Sequence, residues 1–223
     1  MENIGIDLKE LKIYEFEEIK ERLFFKLLNQ EACSEIIEKG PIVRILDLVG
    51  VYGLLLNTDD EGSMTMQVNH KMFERWGVGE EELFRCALEN TKNIFGIKVV
   101  ELSKIFEEYV HSLNIEGLDK DSLSEEMYVL TNDNSTYGAT TVLVPEVLKK
   151  LSTKLGRDLI LIPSSVHEMM AFGYDDKYSI HELNNLIKEV NSTMNIAETL
   201  SDHAYIYHRE EDKLSIPREC EVG

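Results

Sequence analysis

The chain has 223 residues, 43% hydrophobic and 29% charged, an ordinary balance for a globular protein and enough length to bury one large core or two small ones. Lys and Arg number 23 against 42 Asp and Glu, a formal net charge of −19. That charge repels phosphate backbones and argues against direct nucleic-acid binding. No apolar stretch approaches the roughly 20 residues that span a bilayer, so no membrane partner is expected.

The first dozen residues read as a loose leader. Glu2, Asp7 and Glu10 stand where a secretion signal needs a basic region. From Phe16 to Asn29 apolar residues recur at Phe16, Ile19, Leu23, Leu27 and Leu28, with Glu15, Glu17, Glu18, Lys20 and Glu21 between them. That pattern predicts an amphipathic helix with an acidic first turn. A second short helix is expected over Ala32 to Glu38, ended by Gly40-Pro41. Ile42 to Leu56 is apolar almost without alternation, where periodicity alone does not separate helix from strand. A helix over Val43–Val49 followed by a strand from Val51 is one reading of it.

Leu54–Leu56, the polar turn Asn57 to Gly62, and Ser63–Val68 with Met64, Met66 and Val68 alternating predict a hairpin. Helices are expected over Lys71–Trp76 and Glu80–Asn90, then a strand at Ile97–Leu102. Another helix is marked by Leu102, Ile105, Phe106, Tyr109 and Leu113. Asn114 to Glu126 is acidic and polar, the best candidate for a linker.

The remaining stretch is the most legible. Tyr128–Thr131 reads as a strand, Asn132 to Ser135 as a turn, and the β-branched run Ala139–Val144 as a second strand. Pro145 opens a helix that carries Val147, Leu148, Leu151 and Leu155 on one stripe, and Gly156 stops it. Leu159–Ile162 is a continuously apolar strand. Past the polar corner Ser164 to Glu168, Met169–Tyr174 makes another strand. Ser179 and Glu182 form a capping box for a helix expected to bury Leu183, Leu186, Ile187 and Val190. Ala204–His208 and Lys213–Ile216 complete the strands.

These elements predict an α/β (α+β) protein with helices packed on mixed, mainly antiparallel sheet and a helical N-terminal portion. Residues 1–113 form a helical and hairpin half, 114–126 an acidic linker, 127–216 a C-terminal α/β half and 217–223 a frayed tail. One integrated domain is the alternative. The strand, turn, strand, helix order recurs in both halves, but it is common enough that chance explains it better than duplication.

Cys33, Cys86 and Cys220 are few, odd in number and widely spaced, which fits a reducing cytoplasm and no CxxC metal site. No cofactor motif occurs: neither GxGxxG nor GxxxxGK[ST] is present, and Gly77-Val78-Gly79 is followed by three glutamates.

The segments MYVLTN, the strand GATTVLVP, LIPSSVHE, LSDHAYIYHRE and MFERWGVGEEEL resemble a family of clostridial and related bacterial proteins known as a domain of unknown function, DUF5688. The resemblance covers about residues 14–216. It implies a mixed α/β cytosolic bacterial protein, with no assigned catalytic residue or cofactor to carry over.

The corner after Leu159–Ile162 is the strongest candidate for chemistry, because polar groups at strand ends are where α/β folds commonly put their sites. A hydrolase reading makes Ser164 or Ser165 the nucleophile, His167 or His203 the base and Glu168 the acid, without a GxSxG elbow. The preferred reading is a turn whose serines bond backbone and whose His-Glu pair fixes it. Asn132, Asn134 and Asp202 are the candidates for holding a small polar ligand. No metal is expected, since no HExxH or HxH spacing occurs and His203 and His208 fall on opposite faces of one strand.

Three functions remain in order of preference. The first is a non-enzymatic binding or regulatory module, which leaves a protein partner open. The second is a hydrolase-like enzyme at the corner. The third is an acidic mimic of nucleic acid, although solubility is the plainer reason for the charge.

Overall fold

Residues 12–59, 62–112 and 126–217 are described by the computed structural model. They fall into two units, Met1–Gly96 and Ile97–Gly223. The linker expected at 114–126 and the tail at 217–223 lie outside the described residues, except for Glu126 and Pro217.

In the first unit the helix expected over Phe16–Asn29 is confined to one turn, α1 (Phe16–Ile19), and a 3-10 turn at Lys20–Arg22. Leu23–Asn29 is a strand, β1. The reason is visible in the burial. Phe24 and Phe25 are both fully buried on opposite faces of β1, whereas a helix would have turned Phe25 away from the Phe16, Ile19 and Leu23 stripe. A strand covered on both faces loses its alternation, and here its apolar residues happened to fit helical spacing.

After a short α2 (Ser34–Ile37), the stretch that allowed a helix is two strands, β2 (Ile42–Ile45) and β3 (Leu48–Asp59), and β4 (Gly62–Gln67) completes the expected hairpin. β3 pairs antiparallel with β1 along one edge, and with β2 and then β4 along the other. Gly50 and Gly53 of β3 leave room for the two buried rings of β1. A Cβ at Gly50 would stand 1.7 Å from the Phe25 ring, and one at Gly53 would stand 2.2 Å from the Phe24 ring. Two helices follow. α3 (His70–Trp76) is capped by the Asn69 side chain, which accepts from the Met72 N–H at 3.0 Å, and α4 is Glu80–Phe95.

The second unit is a six-stranded antiparallel sheet in the order β10-β9-β7-β8-β6-β5. Its strands are β5 (Lys98–Glu101), β6 (Met127–Thr131), β7 (Leu159–Ser165), β8 (Glu168–Gly173), β9 (Tyr205–His208) and β10 (Lys213–Ser215). α5 (Leu102–Ser112) follows β5. α6 (Pro145–Leu155) lies on the face that carries Tyr128, and α7 (Ile180–Asn191) packs Ile187 and Leu183 against Ile160 and Phe172 on the opposite face. The capping box is present, Ser179 accepting from the Glu182 N–H at 3.3 Å. Leu186 and Val190, expected in the core, are instead more than half exposed on the outer side of α7.

The β-branched run after Gly138 is a 3-10 segment, Gly138–Leu143, not a strand. The second half therefore lacks the hairpin that made it look like a repeat of the first. The segment lies across the end of β6 and the β7–β8 turn, where Thr141 Oγ1 donates to the Thr131 carbonyl at 2.9 Å and the Ala139 N–H donates to the Val166 carbonyl at 3.3 Å. Those non-local partners outweigh local β propensity. The fold is α+β, as the element pattern predicts, with both sheets antiparallel.

Candidate functional site

Pro163 lacks an N–H, and the β7–β8 register shifts between Ile162 and Ser165, so the polar corner is an irregular hairpin end. The Ser164 hydroxyl meets Glu168 Oε1 at 3.3 Å, and Ser165 Oγ accepts from the His167 N–H at 3.0 Å. His167 Nδ1 accepts from the Tyr137 N–H at 3.2 Å, which leaves the proton of the neutral ring on Nε2. The His167 carbonyl accepts from Thr131 Oγ1 at 2.8 Å, and the Tyr137 ring lies 5.7 Å from the imidazole. Among the described residues neither serine hydroxyl bonds an imidazole nitrogen.

The corner is thus joined to the loop that leaves β6. A Cβ on Gly138 would lie 2.5 Å from the His167 carbonyl oxygen, so the loop passes as close as a glycine allows. Asn132 is buried and clamps that loop, its Nδ2 donating to the Thr136 carbonyl at 2.8 Å and its Oδ1 accepting from the Thr136 N–H at 3.2 Å. Asn134 is exposed, and its carbonyl accepts from Thr136 Oγ1. Asp202 is exposed too and accepts from Asn191 Nδ2 at 2.7 Å. His203 Nδ1 faces the Ala204 carbonyl at 3.0 Å, and its ring packs edge-on against Tyr205. Each of these residues has an engagement that holds backbone or a neighbouring side chain.

Three other clusters in the second unit were not legible beforehand. At the β5–β6 edge, Lys154 of α6 donates to the Tyr128 hydroxyl at 2.6 Å and to Glu101 Oε1 at 3.0 Å. The Tyr128 hydroxyl and then Glu101 push the lysine's pKa up, and the bond from Lys154 holds the Glu101 carboxyl low. Through these two bonds Lys154 ties α6 to the sheet.

At the opposite end of the sheet order, Asp158, His208 and Ser215 line up. His208 Nδ1 is 3.3 Å from Asp158 Oδ2, and His208 Nε2 is 2.8 Å from Ser215 Oγ. Asp158 Oδ1 also accepts from the Arg209 N–H at 2.9 Å. No local motif joins these three residues. Only the order β10-β9-β7 brings them together.

The third cluster is a cleft of about 300 Å³ lined by Arg157, Lys177, Asp175, Glu126 and Tyr178, with Phe172 in its wall. The Arg157 stem crosses β8 over Gly173, where a Cβ would meet it at 2.4 Å, and its guanidinium lies 3.8 Å from Asp175. Lys177 Nζ sits 5.0 Å from the centre of the Tyr178 ring. The Tyr178 hydroxyl is buried without a hydrogen-bond partner among the described residues, an arrangement that ordinarily calls for an explanation. Tyr178 and Lys177 sit in a turn between β8 and α7, and their sequence carries no signal beyond Asp175-Asp176.

Among the described residues no group of three or more His, Cys, Asp or Glu is arranged to hold a metal ion, and no helix is long and apolar enough to cross a membrane. A model for a family of unknown function, DUF5688, matches residues 2–209. No curated protein and no solved structure matches the chain.

Proposed function

We propose, for a chain that belongs to the family of unknown function DUF5688, a binding module of the bacterial cytoplasm that takes a small polar ligand in the cleft of its second unit. The observation that carries this reading is the chemistry of the cleft wall. Two cations, Arg157 and Lys177, and two carboxylates, Asp175 and Glu126, ring about 300 Å³, and the wall includes a tyrosine whose buried hydroxyl has no partner among the described residues. That volume is at the small end of ligand sites, so the ligand is metabolite-sized. Paired charges of both signs suit a zwitterion such as a free amino acid, its carboxylate toward Arg157 and its ammonium toward Asp175.

The engaged hydroxyls of Ser164 and Ser165 support a structural role for the corner rather than a hydrolase there. The net charge of −19 supports a partner other than nucleic acid. The free thiols of Cys33 and Cys86 accord with a reducing compartment.

Isothermal titration with the common amino acids, one at a time, tests the reading. At least one is expected to bind with Kd below about 1 mM and to weaken at least about tenfold in Arg157→Gln. No heat from any of them, or a Kd unchanged in Arg157→Gln, removes the cleft as the site.

A further inference from the structure

We infer that Asp158, His208 and Ser215 form a nucleophilic relay in which Ser215 is acylated by small, sterically open carboxylic esters. The alternative hydrolase reading of the sequence places the nucleophile at Ser164 or Ser165. The three groups that meet the geometric requirement lie elsewhere, on the last hairpin and at the start of β7.

The carboxylate of Asp158 only accepts, so the imidazole nitrogen facing it, Nδ1, carries the proton of the neutral ring. Nε2 is then the acceptor, and it stands 2.8 Å from Ser215 Oγ, within reach of the hydroxyl proton. The same hydroxyl has the Ile206 carbonyl at 3.5 Å, a longer and weaker alternative. The Arg209 N–H anchors the other oxygen of Asp158. The orienting acid is therefore fixed by backbone, as the third member of such a set requires.

Access and charge stabilisation follow from the edge position. The His208 and Asp158 side chains are 35% and 38% exposed and Ser215 is half-buried, so the relay lies at the surface rather than in the core. Among the described residues β10 pairs with β9 alone, and alternate N–H groups of an edge strand turn outward. These are the donors an oxyanion beside Ser215 would meet.

The step balances with the ester and water alone. Ser215 Oγ bonds to the ester carbonyl carbon as its proton passes to His208 Nε2. The bond to the alcohol oxygen then breaks, and that oxygen takes the proton from Nε2. Water attacks the resulting acyl-serine, again through His208, and releases the carboxylic acid and the free hydroxyl. Asp158 stays ionised throughout and stabilises the imidazolium. Ser215 lies beyond the residues matched by the family model, whereas Asp158 and His208 lie within them.

The test uses the full chain with a dialkyl fluorophosphonate, the adduct being located by peptide mass mapping. A single adduct on Ser215 is expected. Its rate should fall at least about 100-fold in His208→Gln and stay unchanged in Ser164→Ala and Ser165→Ala. The absence of a Ser215 adduct under conditions that label a control serine hydrolase overturns the inference, as does a rate indifferent to His208→Gln. Should that variant melt early, Ser215→Cys with His208 intact decides. Its new thiol must react with iodoacetamide at pH 7 faster than the native cysteines, and equal rates overturn the relay.

Discussion

The backbone N–H of Phe25 donates to the Thr91 hydroxyl at 2.8 Å, joining a strand of the first unit to a helix 66 positions further along the chain. Among the described residues β1 pairs with β3 alone, so alternate N–H groups of β1 point away from β3. α4 covers that side, and the Thr91 hydroxyl accepts from Phe25 while donating to the Ala87 carbonyl at 2.6 Å. One buried threonine thus gives an edge amide of β1 its acceptor.

Thr91→Val keeps the shape and removes the acceptor. It is expected to destabilise the protein by about 1–3 kcal/mol, the penalty of a buried unsatisfied N–H, while Thr91→Ser stays near the parent. Urea unfolding of the three proteins checks this. A valine variant as stable as the parent would mean that water reaches the Phe25 amide.

At the polar corner, Ser165→Ala and His167→Ala should each lose about 1–3 kcal/mol, because each removes a partner of buried or half-buried backbone N–H groups. Melting curves read the loss directly. Near-parent melting of both would leave the corner without the structural role assigned to it.

Two tyrosines make stability fall at alkaline pH. Burial first, then Glu80, pushes Tyr52 up to about 12, and burial first, then Asp212, pushes Tyr207 up to about 12. In the unfolded chain both titrate near 10, so between pH 10 and 12 the folded form holds protons that the unfolded form has released. Stability is therefore full below pH 10 and declines as pH rises through 12. Absorbance at the phenolate band should show part of the tyrosine signal appearing only with unfolding. Complete titration near pH 10 in a still-folded protein would contradict it.

Gly50→Ala tests the packing of the first unit. The added methyl would stand 1.7 Å from the Phe25 ring, and a loss of about 1–3 kcal/mol is expected. Phe25→Leu in the same background should give back part of that loss, since a shorter side chain leaves room for the methyl. Strict additivity in the double-mutant cycle would argue that the two positions do not touch.

Legibility followed the range of the interactions. The helix of Pro145–Leu155, with its proline entry and its left-handed Gly156 stop, and the capped helix after Ser179 were readable because their determinants lie within one or two turns. Leu23–Asn29 was misread because its burial on both faces depends on β3 and α4, which no local window contains. The run after Gly138 failed for a related reason: its hydrogen bonds go to Thr131 and Val166, and these override β-branched preference. At the corner Ser165 and His167 serve as partners of backbone N–H groups. The Asp158, His208 and Ser215 set was invisible, since 50 and 7 positions separate its neighbours and sheet order alone closes the gap.

β3 is flanked by β1 along Leu48–Leu54, and on its other edge by β2 along Leu48–Val51 and β4 from Gly53. The amides of this segment alternate between the two edges, so freeing all of them takes the loss of neighbours on both sides. In a hydrogen–deuterium exchange experiment these amides become the slowest reporters of the unit. Their common rate measures the free energy of its global unfolding, while the amides of β4 near residue 63 exchange earlier by local fraying. A single β3 peptide is then a direct gauge of how far any ligand or substitution changes the stability of the first unit.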